Sequence, residues 1–452
     1  MLGLIFCHRM AGQMTAEQRV LLVTYHFPPD QEVGALRGEK FVKHLPEYGW
    51  RPQVLTVDPR CYGFTGTASP LRGVERTAVW PNLRDAYRAA RTLAVRRAPG
   101  DPKDASFEEQ DRQAPGPVAA LKRTVRSLLC WPDHTVGWWP PAVLASRRLM
   151  RQARYRALIT TGPPHTAHLV GLALSRRDVR WIVDLRDPWV DNPGKPRSAR
   201  SGISDELDRR SERAVLTRAA AIIVGTDRFR LEIVRRYPEL SSRVHVIPAG
   251  VDPDDFAGIS RVPARKFTVA HFGELYYRRS PEPLFAGLST LVHEGAVRRD
   301  ELEIILAGEI RDGIDATALA ERAGLAELVR LPGLLPRRQA LQLMASSGAL
   351  VLLAQAQPLQ LPAKAFEYWA AGPPIIAVTG DGATSDFIRE TNAGWVVAPD
   401  DAGGMRAALL SAYRDWRGRW DGTPGARPVL DQRFDRRELT GRLATLLEGT
   451  RP

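Results

Sequence analysis

Residues 19–57 read RVLLVTYHFPPDQEVGALRGEKFVKHLPEYGWRPQVLTV and contain the pattern that decides the fold. A short β-branched apolar run is closed by two prolines, a stretch with helical periodicity follows, and a second strand-like run, PQVLTV, ends the segment. Strand, helix and strand in this order form a βαβ unit, whose two strands lie parallel. The sequence therefore predicts an α/β fold built on a parallel sheet.

The same alternation continues in two series. The first contains ALITTGPP, RWIVDLRDPW, AAIIVGT and VHVIPAG, and the second contains FTVAHFGE, LEIILAGE, LVRLPG, ALVLLAQ, PPIIAVTG and AGWVVAP. A polar segment with two prolines, GVDPDDFAGISRVPARK, joins them as a linker would. We therefore expect two Rossmann-like, doubly wound parallel-sheet domains that face each other across a cleft.

These patterns divide the chain into four segments. Residues 1–19 are expected to be a flexible leader, in which Met1 and Met14 are alternative starts. Residues 20–255 form the first domain, with a mobile insertion at 96–117 that is rich in Pro, Gly and charge. Residues 256–430 form the second domain. Residues 431–452 form a C-terminal helix, for which packing back on the first domain is one arrangement.

Composition narrows the class of protein. A chain of 452 residues is longer than a single core usually grows, and its 64 basic against 51 acidic residues give a net charge of +13, which favours anionic partners. The three cysteines, Cys7, Cys61 and Cys130, lie far apart without metal-ligand spacing, which favours reduced thiols in a cytoplasm. No run of about 20 apolar residues is present, so any membrane contact is expected to be peripheral.

Residues 118–139 offer such a contact. The stretch VAALKRTVRSLLCW has an apolar helical face and a basic back, and Trp131, Trp138 and Trp139 follow or end it. One interpretation is a helix that faces the core, with the tryptophans in the core or the cleft. The other is a peripheral contact at the inner face of the plasma membrane.

Three segments of the first domain place polar residues after strands, where ligands of such sheets bind. Gly34 lies near a helix start, where a missing side chain lets backbone N–H groups approach an anion, although an ordinary turn also explains it. His165 follows the run at 157–161, either as a cleft residue or as a helix cap. Asp184, Arg186 and Asp187 are three charges at a strand end, which need a ligand or internal partners.

In the second domain, HFGELYYRRSPEPL contains Gly273 and places Arg278 and Arg279 just before a helix that starts near Pro281. A guanidinium there can hold a phosphate at the helix N-terminus, although a solvated basic loop is an equal alternative. The stretch LPAKAFEYWAAGPPII, residues 361–376, projects Lys364 and Glu367 from one face of a helix start. The ammonium suits a phosphate and the carboxylate suits a ribose, whereas the alternative is a plain i,i+3 ion pair.

Together these segments resemble the family 4 glycosyltransferases, retaining enzymes of the GT-B fold, and within them a bacterial polysaccharide-type subgroup. The resemblance covers residues 20–430. It rests on YHFPPDQEVGALR, GPPHTAH, DLRDPW, VIPAGVDPDDF, GELYYRRSPEPL and LPAKAFEYWAAGPPII.

The resemblance implies retaining transfer of a sugar from a UDP- or GDP-type donor to a glycan, lipid-linked or small-molecule acceptor, with no metal and no cofactor. It implies that the second domain binds the donor and that His165, Arg186 and Asp187 are candidates for the sugar side. The donor-binding residues that it implies are Gly34, Gly273, Arg279, Lys364 and Glu367, with Arg279 and Lys364 on the diphosphate and Glu367 on the ribose.

The chain departs from the family pattern at two positions. Leu359, followed by Gln360, stands where a sugar-holding glutamate is common, and Glu274 replaces an arginine that usually follows the glycine. The DPD at 252–254 resembles a metal-binding Asp-x-Asp, but its place in the joint favours a linker. Two other functions stay open: an epimerase-like enzyme of the same fold, and a non-enzymatic basic protein that binds nucleic acid or membrane. We favour the transferase, without a nucleic-acid partner.

Overall fold

The structure, a computed structural model, describes residues 18–30, 33–62, 73–81, 124–125, 127–129, 131–190, 192, 195, 200–276, 279–311, 313–418 and 431–449. The first strand begins at Gln18, two residues inside the segment expected to be a leader. The rest of that leader and the insertion at 96–117 lie outside the described residues.

The first sheet has seven parallel strands in the order β3-β2-β1-β4-β5-β6-β7. Its central strands are buried on both faces, which explains why they read as continuous apolar runs rather than as alternating ones. The strands are Gln18–Thr24 (β1), Trp50–Val57 (β2), Val74–Thr77 (β3), Ala157–Gly162 (β4), Arg180–Leu185 (β5), Ala221–Val224 (β6) and Val244–Val246 (β7).

Helices cover both faces of this sheet. Ser201 and Thr226 cap two of them by accepting backbone N–H hydrogen bonds from Ser204 and Phe229, as their residue types predict. The helices are Val33–His44 (α1), Trp139–Gln152 (α2), Thr166–Leu174 (α3), Gly202–Arg218 (α4) and Asp227–Arg236 (α5).

The second sheet has six parallel strands in the order β10-β9-β8-β11-β12-β13. Its strands are Phe267–Phe272 (β8), Leu302–Ala307 (β9), Val329–Arg330 (β10), Ala349–Leu353 (β11), Ile375–Val378 (β12) and Gly394–Val397 (β13). The remaining helices are Glu282–His293 (α6), Ala316–Arg322 (α7), Arg337–Ser346 (α8), Ala363–Ala371 (α9), Ala383–Thr391 (α10), Ala402–Gly418 (α11) and Arg436–Glu448 (α12). Two doubly wound parallel sheets confirm the predicted fold class.

The last helix, α12, belongs to the first domain. Its residues Leu439 and Leu443 lie in the same apolar cluster as Val20 and Leu22 of β1. The returning segment pairs with the segment that leaves the first domain: Val251 donates a backbone hydrogen bond to Phe434, and Arg436 donates one to Val251. The outgoing and returning segments are therefore hydrogen-bonded to each other.

The tryptophans of residues 118–139 have different environments. Trp138 is fully buried and donates its indole N–H to Thr77 Oγ1 at 2.8 Å, so it belongs to the core and not to a membrane interface. Trp139 is partly exposed, and Leu144 and Trp80 are exposed as well. In the described part of the chain, no helix is long and apolar enough to span a bilayer.

One buried ion pair fixes α1 on the sheet. The Arg37 guanidinium donates two hydrogen bonds of 2.8 Å to the Asp184 carboxylate and also donates to the carbonyl oxygens of Ile247 and Pro248. Thr161 donates to the same carboxylate, which is only 1% exposed. Of the two alternatives considered for the charges of DLRDPW, a ligand or internal partners, Asp184 has internal partners.

Replacement of Arg37 by Gln should lower the free energy of unfolding by roughly 3 to 5 kcal/mol, because it leaves the Asp184 carboxylate buried without its cation. Urea unfolding followed by circular dichroism measures the loss. The matched control is Arg176→Gln, which removes an exposed partner of Asp178 and should cost less than about 1 kcal/mol. Equal effects of the two substitutions would contradict a structural role for the Arg37 pair.

Candidate active site

The loops that follow strands of the two sheets meet across a cleft. Gln360 of the β11–α9 loop donates its amide to Asp187 Oδ1 at 2.7 Å, and Thr226 of the first domain donates to the Leu359 carbonyl oxygen at 2.6 Å. Below them, Arg228 forms ion pairs with Asp381 and Asp386 of the second domain. The carboxyl ends of both sheets therefore line one shared cleft, as the topology predicts.

Gly34 and Arg186 lie against each other on the first-domain side. A Cβ atom placed on Gly34 would lie 2.5 Å from Arg186 Nη1, so a side chain at this position would displace the guanidinium. Arg186 also donates to the Pro163 carbonyl oxygen. The structure thus gives Gly34 a packing role that the sequence did not predict, at the helix end where its anion-binding role was expected.

His165 lies beside this pair. Its ring stacks on Trp189 with 4.7 Å between the ring centres, and both of its ring nitrogens are buried without a hydrogen-bond partner in the described part of the chain. It occupies the residue before α3 but does not cap the helix, because Asp133 accepts the Thr166 N–H instead. Buried polar atoms normally have partners, so a ring with two open nitrogens indicates a ligand position.

The His165 ring is electrically neutral. Burial, together with the positive charges of Arg186 and Lys195, lowers its pKa to about 3. A neutral imidazole carries one N–H donor and one acceptor nitrogen, and can exchange hydrogen bonds with a hydroxyl group. His165 can therefore bind a polar, uncharged group beside the Arg186 guanidinium.

Asp187 bridges the two domains. Its Oδ1 accepts from Gln360, so this expected catalytic carboxylate lies at the contact between the loops. The structure brings Gly34, His165, Arg186 and Asp187 together on one side of the cleft.

On the opposite side, Arg279 follows the Gly273 loop. Its Nη2 donates to Gln357 Oε1 at 3.1 Å, and its guanidinium lies over the Tyr276 ring. Arg279 Nε and Gln355 Oε1 are buried without partners among the described residues, which is typical of a site that a ligand completes. Arg278, the other arginine of the motif, lies outside the described residues.

His271 is a further candidate site residue, which the sequence analysis did not name. It lies two residues before Gly273, and its Nδ1 donates to the Val351 carbonyl oxygen at 2.9 Å. Its Nε2 is therefore an acceptor, and this atom is buried without a partner in the described structure. Burial lowers its pKa to about 4, and the charges of Arg279 and Lys364 act in the same direction. Its only sequence signal was a histidine in an apolar strand before a glycine.

Lys364 and Glu367 lie on α9, which ends at Gly372 in the left-handed conformation, with φ of 105°. Lys364 Nζ contacts Glu367 Oε2 at 2.6 Å, so the plain ion pair considered from the sequence is present. Arg337 Nη1 contacts the other oxygen, Oε1, at 2.9 Å. Glu367 is 2% exposed, and burial raises its pKa while the Lys364 and Arg337 charges outweigh that effect and lower it to about 2. Glu367 is therefore an ionised carboxylate.

The two residues that depart from the family pattern, Leu359 and Glu274, both have structural contacts. Leu359 packs against the core of the first domain, and Glu274 forms an ion pair with Arg311. In the joint, Lys40 binds Asp252 and Asp255, and Lys43 binds Asp252 and Asp254. The DPD segment therefore ties α1 to the joint by ion pairs.

The neutral state of His165 predicts a pH dependence of stability. An unfolded histidine binds a proton below a pKa of about 6.5, whereas the buried ring resists it until about pH 3, so stability is lost as pH falls through this window. His165→Gln should flatten that dependence by roughly 1 kcal/mol per pH unit between pH 6 and 5. Urea unfolding across this range measures the slope, and an unchanged slope would contradict a neutral buried His165.

Two protein-family models match the sequence. The model described as Glycosyltransferase Family 4 matches residues 82–255, and the model described as Glycosyl transferases group 1 matches residues 266–415. The matches fall on the first and the second domain, respectively. No curated protein sequence matches the chain significantly.

Solved structures resemble the chain over almost its whole length. Sucrose-phosphate synthase from Thermosynechococcus elongatus has a TM-score of 0.63 at 17% identity, over 96% of this chain and 98% of that chain. S. aureus TarM, in complex with fondaparinux, alpha-GlcNAc-glycerol and UDP, has a TM-score of 0.62 at 11% identity, over 95% and 99%. WaaG, a glycosyltransferase involved in lipopolysaccharide biosynthesis, has a TM-score of 0.56 at 14% identity, over 95% and 100%.

At these identities the likeness shows the fold, which is the GT-B fold expected from the sequence. The two family models add the class of protein for each domain. Each domain thus resembles known glycosyltransferases, the first over residues 82–255 and the second over residues 266–415.

Proposed function

We propose that the chain transfers a sugar from a nucleotide diphosphate sugar to an acceptor, with retention of the anomeric configuration and without a catalytic metal. The observation that carries this proposal is the arrangement at the carboxyl end of the second sheet. Arg279 and Lys364 lie close enough to His271 to lower its pKa, and atoms of Arg279, Gln355 and His271 that have no partner among the described residues are buried there.

The chemistry of a nucleotide diphosphate leaving group suits these residues. Its departure builds negative charge on phosphate oxygens, which fixed cations stabilise in the transition state. Arg279 supplies a guanidinium and Lys364 an ammonium, and the N-terminus of α6 begins just beyond Arg279 at Glu282. The Glu367 carboxylate is an acceptor for ribose hydroxyls, and Gly273 keeps the loop free of a side chain.

The sugar would then lie against the first domain. His165 offers a neutral donor and acceptor, Arg186 a cation, and Asp187 a carboxylate at the domain contact. Gly34 leaves room for Arg186 at the start of α1. Leu359 supplies no carboxylate for the sugar, so in this chain His165 and Arg186 would take a larger share of sugar recognition.

Contacts between the domains would keep water away from the donor. The hydrogen bonds of Gln360 and Thr226, together with the Arg228 ion pairs, connect the two domains across the cleft. A closed, dry cleft favours transfer to an acceptor over hydrolysis.

For the acceptor, we propose a glycan or lipid-linked molecule of polysaccharide biosynthesis. TarM was captured with UDP and a glycosylated glycerol, and WaaG takes part in lipopolysaccharide biosynthesis, which suits a UDP-type donor without excluding GDP. The exposed Trp80, Trp139 and Leu144, near the basic Arg147 and Arg151 of α2, suit a peripheral contact with anionic lipid at the inner face of the plasma membrane. No nucleic-acid partner is proposed.

A panel of UDP and GDP sugars tests the proposal by thermal stabilisation and nucleotide release. We expect one nucleotide class to stabilise the chain, activity to persist in EDTA, and the product anomer to match the donor by NMR. Glu367→Gln and Lys364→Met should each weaken nucleotide diphosphate binding at least tenfold, whereas Glu309→Gln, an exposed glutamate, should not. Absence of nucleotide binding together with tight binding to DNA would overturn the transferase proposal, and isomerised donor without transfer would indicate an epimerase.

The sugar-side role of His165 predicts a different kinetic effect. His165→Gln should lower kcat on the order of 100-fold, because a group that positions or polarises the reacting sugar is lost. Nucleotide diphosphate affinity should stay within about threefold, since His165 lies on the opposite side of the cleft. His293→Gln, on the exposed face of α6, is the matched control. If His165→Gln lost nucleotide affinity but kept kcat, His165 would bind the nucleotide rather than the sugar, and the proposed role would be contradicted.

A further inference from the structure

Glu367 has two cationic partners. Lys364 contacts Oε2 at 2.6 Å and Arg337 contacts Oε1 at 2.9 Å, although one positive charge neutralises one carboxylate. The two cations differ in how they are held. No further ion pair of Lys364 is recorded among the described residues, and its side chain is 29% exposed.

Arg337 is anchored from the other side. Its Nη2 donates to Asp255 Oδ2 at 2.7 Å, and Asp255 Oδ1 accepts from Lys40 of α1 at 2.7 Å. The planar guanidinium thus joins two carboxylates, one in the domain joint and one on α9. The bond to Asp255 in the joint therefore keeps the guanidinium beside Glu367.

Under the proposed function, Lys364 must change partners. In the structure its ammonium lies on Glu367, whereas diphosphate neutralisation requires it on the phosphate oxygens. A buried carboxylate that loses its last cation is strongly destabilised, so such an exchange needs a second positive charge that stays behind. Arg436 adds a further positive charge, which also lowers the pKa of Glu367. Its side chain is buried, and its Nε donates a hydrogen bond to the Ala249 carbonyl oxygen.

We propose that Arg337 is the permanent counter-ion of Glu367 and thereby releases Lys364 to bind the donor diphosphate. Arg337 is in this sense a positioning residue, which acts on the ligand through Glu367 and Lys364. The inference rests on the proposed function, because it concerns the partner exchange that donor binding demands. It also assigns different roles to the two neighbouring arginines of LPRRQAL. Arg337 binds two carboxylates, whereas Arg338 is exposed and makes only a long contact, of 3.4 Å, with the Ala257 carbonyl oxygen.

Arg337→Gln tests the inference through the preference for a nucleoside diphosphate over its monophosphate. Without Arg337, Lys364 stays on Glu367 and no longer reaches the second phosphate. The ratio of monophosphate Kd to diphosphate Kd, measured by calorimetry with UDP and UMP or GDP and GMP, should fall at least tenfold, while monophosphate affinity stays within about threefold. Arg338→Gln is the matched control and should keep the ratio. Arg337→Lys retains the positive charge and should keep most of the wild-type ratio.

A second background keeps the test decisive if the single variant folds poorly. In Glu367→Gln no carboxylate competes for Lys364, so adding Arg337→Gln should change the diphosphate preference less than twofold. Equal loss of monophosphate and diphosphate affinity in Arg337→Gln, or a tenfold change in the Glu367→Gln background, would overturn the inference alone. A wild-type chain that binds neither nucleotide would contradict the proposed function and this inference with it.

Discussion

The ion pair between Lys40 and Asp255 is the contact on which the geometry of the cleft depends. Lys40 lies on α1, whose first turn carries Gly34 against Arg186, and Asp255 lies in the joint and contacts Arg337. One helix of the first domain is therefore connected through two ion pairs to the helix N-terminus of α8 and on to Glu367. The constraint is electrostatic. Each of these four linked side chains is partly or fully buried, and each must keep a partner of opposite charge.

The same constraint explains the charged segments that border the cleft. In DLRDPW, Asp184 lies within β5 and pairs with Arg37, whereas Asp187 lies past the strand end and reaches Gln360. In the joint, acidic residues that look like a metal motif are held by lysines of α1. These buried charges are thus paired structurally, while some of the buried polar atoms without a partner among the described residues, on His165, Arg279 and His271, lie at the cleft.

The sequence was sufficient for the fold because apolar periodicity and proline or glycine breaks are local signals, and parallel strands bring their carboxyl ends together. The segments that contain the candidate site residues could also be predicted to lie at the cleft, since each comes directly after a strand. The sequence could not assign the partners. Lys40 and Asp252 are separated by 212 positions, and nothing near Arg337 distinguishes it from Arg338. His271 was missed because an imidazole in an apolar strand is usually a satisfied core residue, and only the bond to Val351 shows that Nε2 is open.

The position of α12 has a mechanical consequence. The chain passes from the first domain to the second and later returns, and the two crossings lie side by side, joined by the backbone bonds of Val251 with Phe434 and Arg436. Two chain segments that cross between the domains and are hydrogen-bonded to each other restrict sliding of one domain along the other more than they restrict rotation about the crossings. A rotation about these crossings would change the separation between His165 of the first domain and Arg279 of the second, on opposite sides of the cleft.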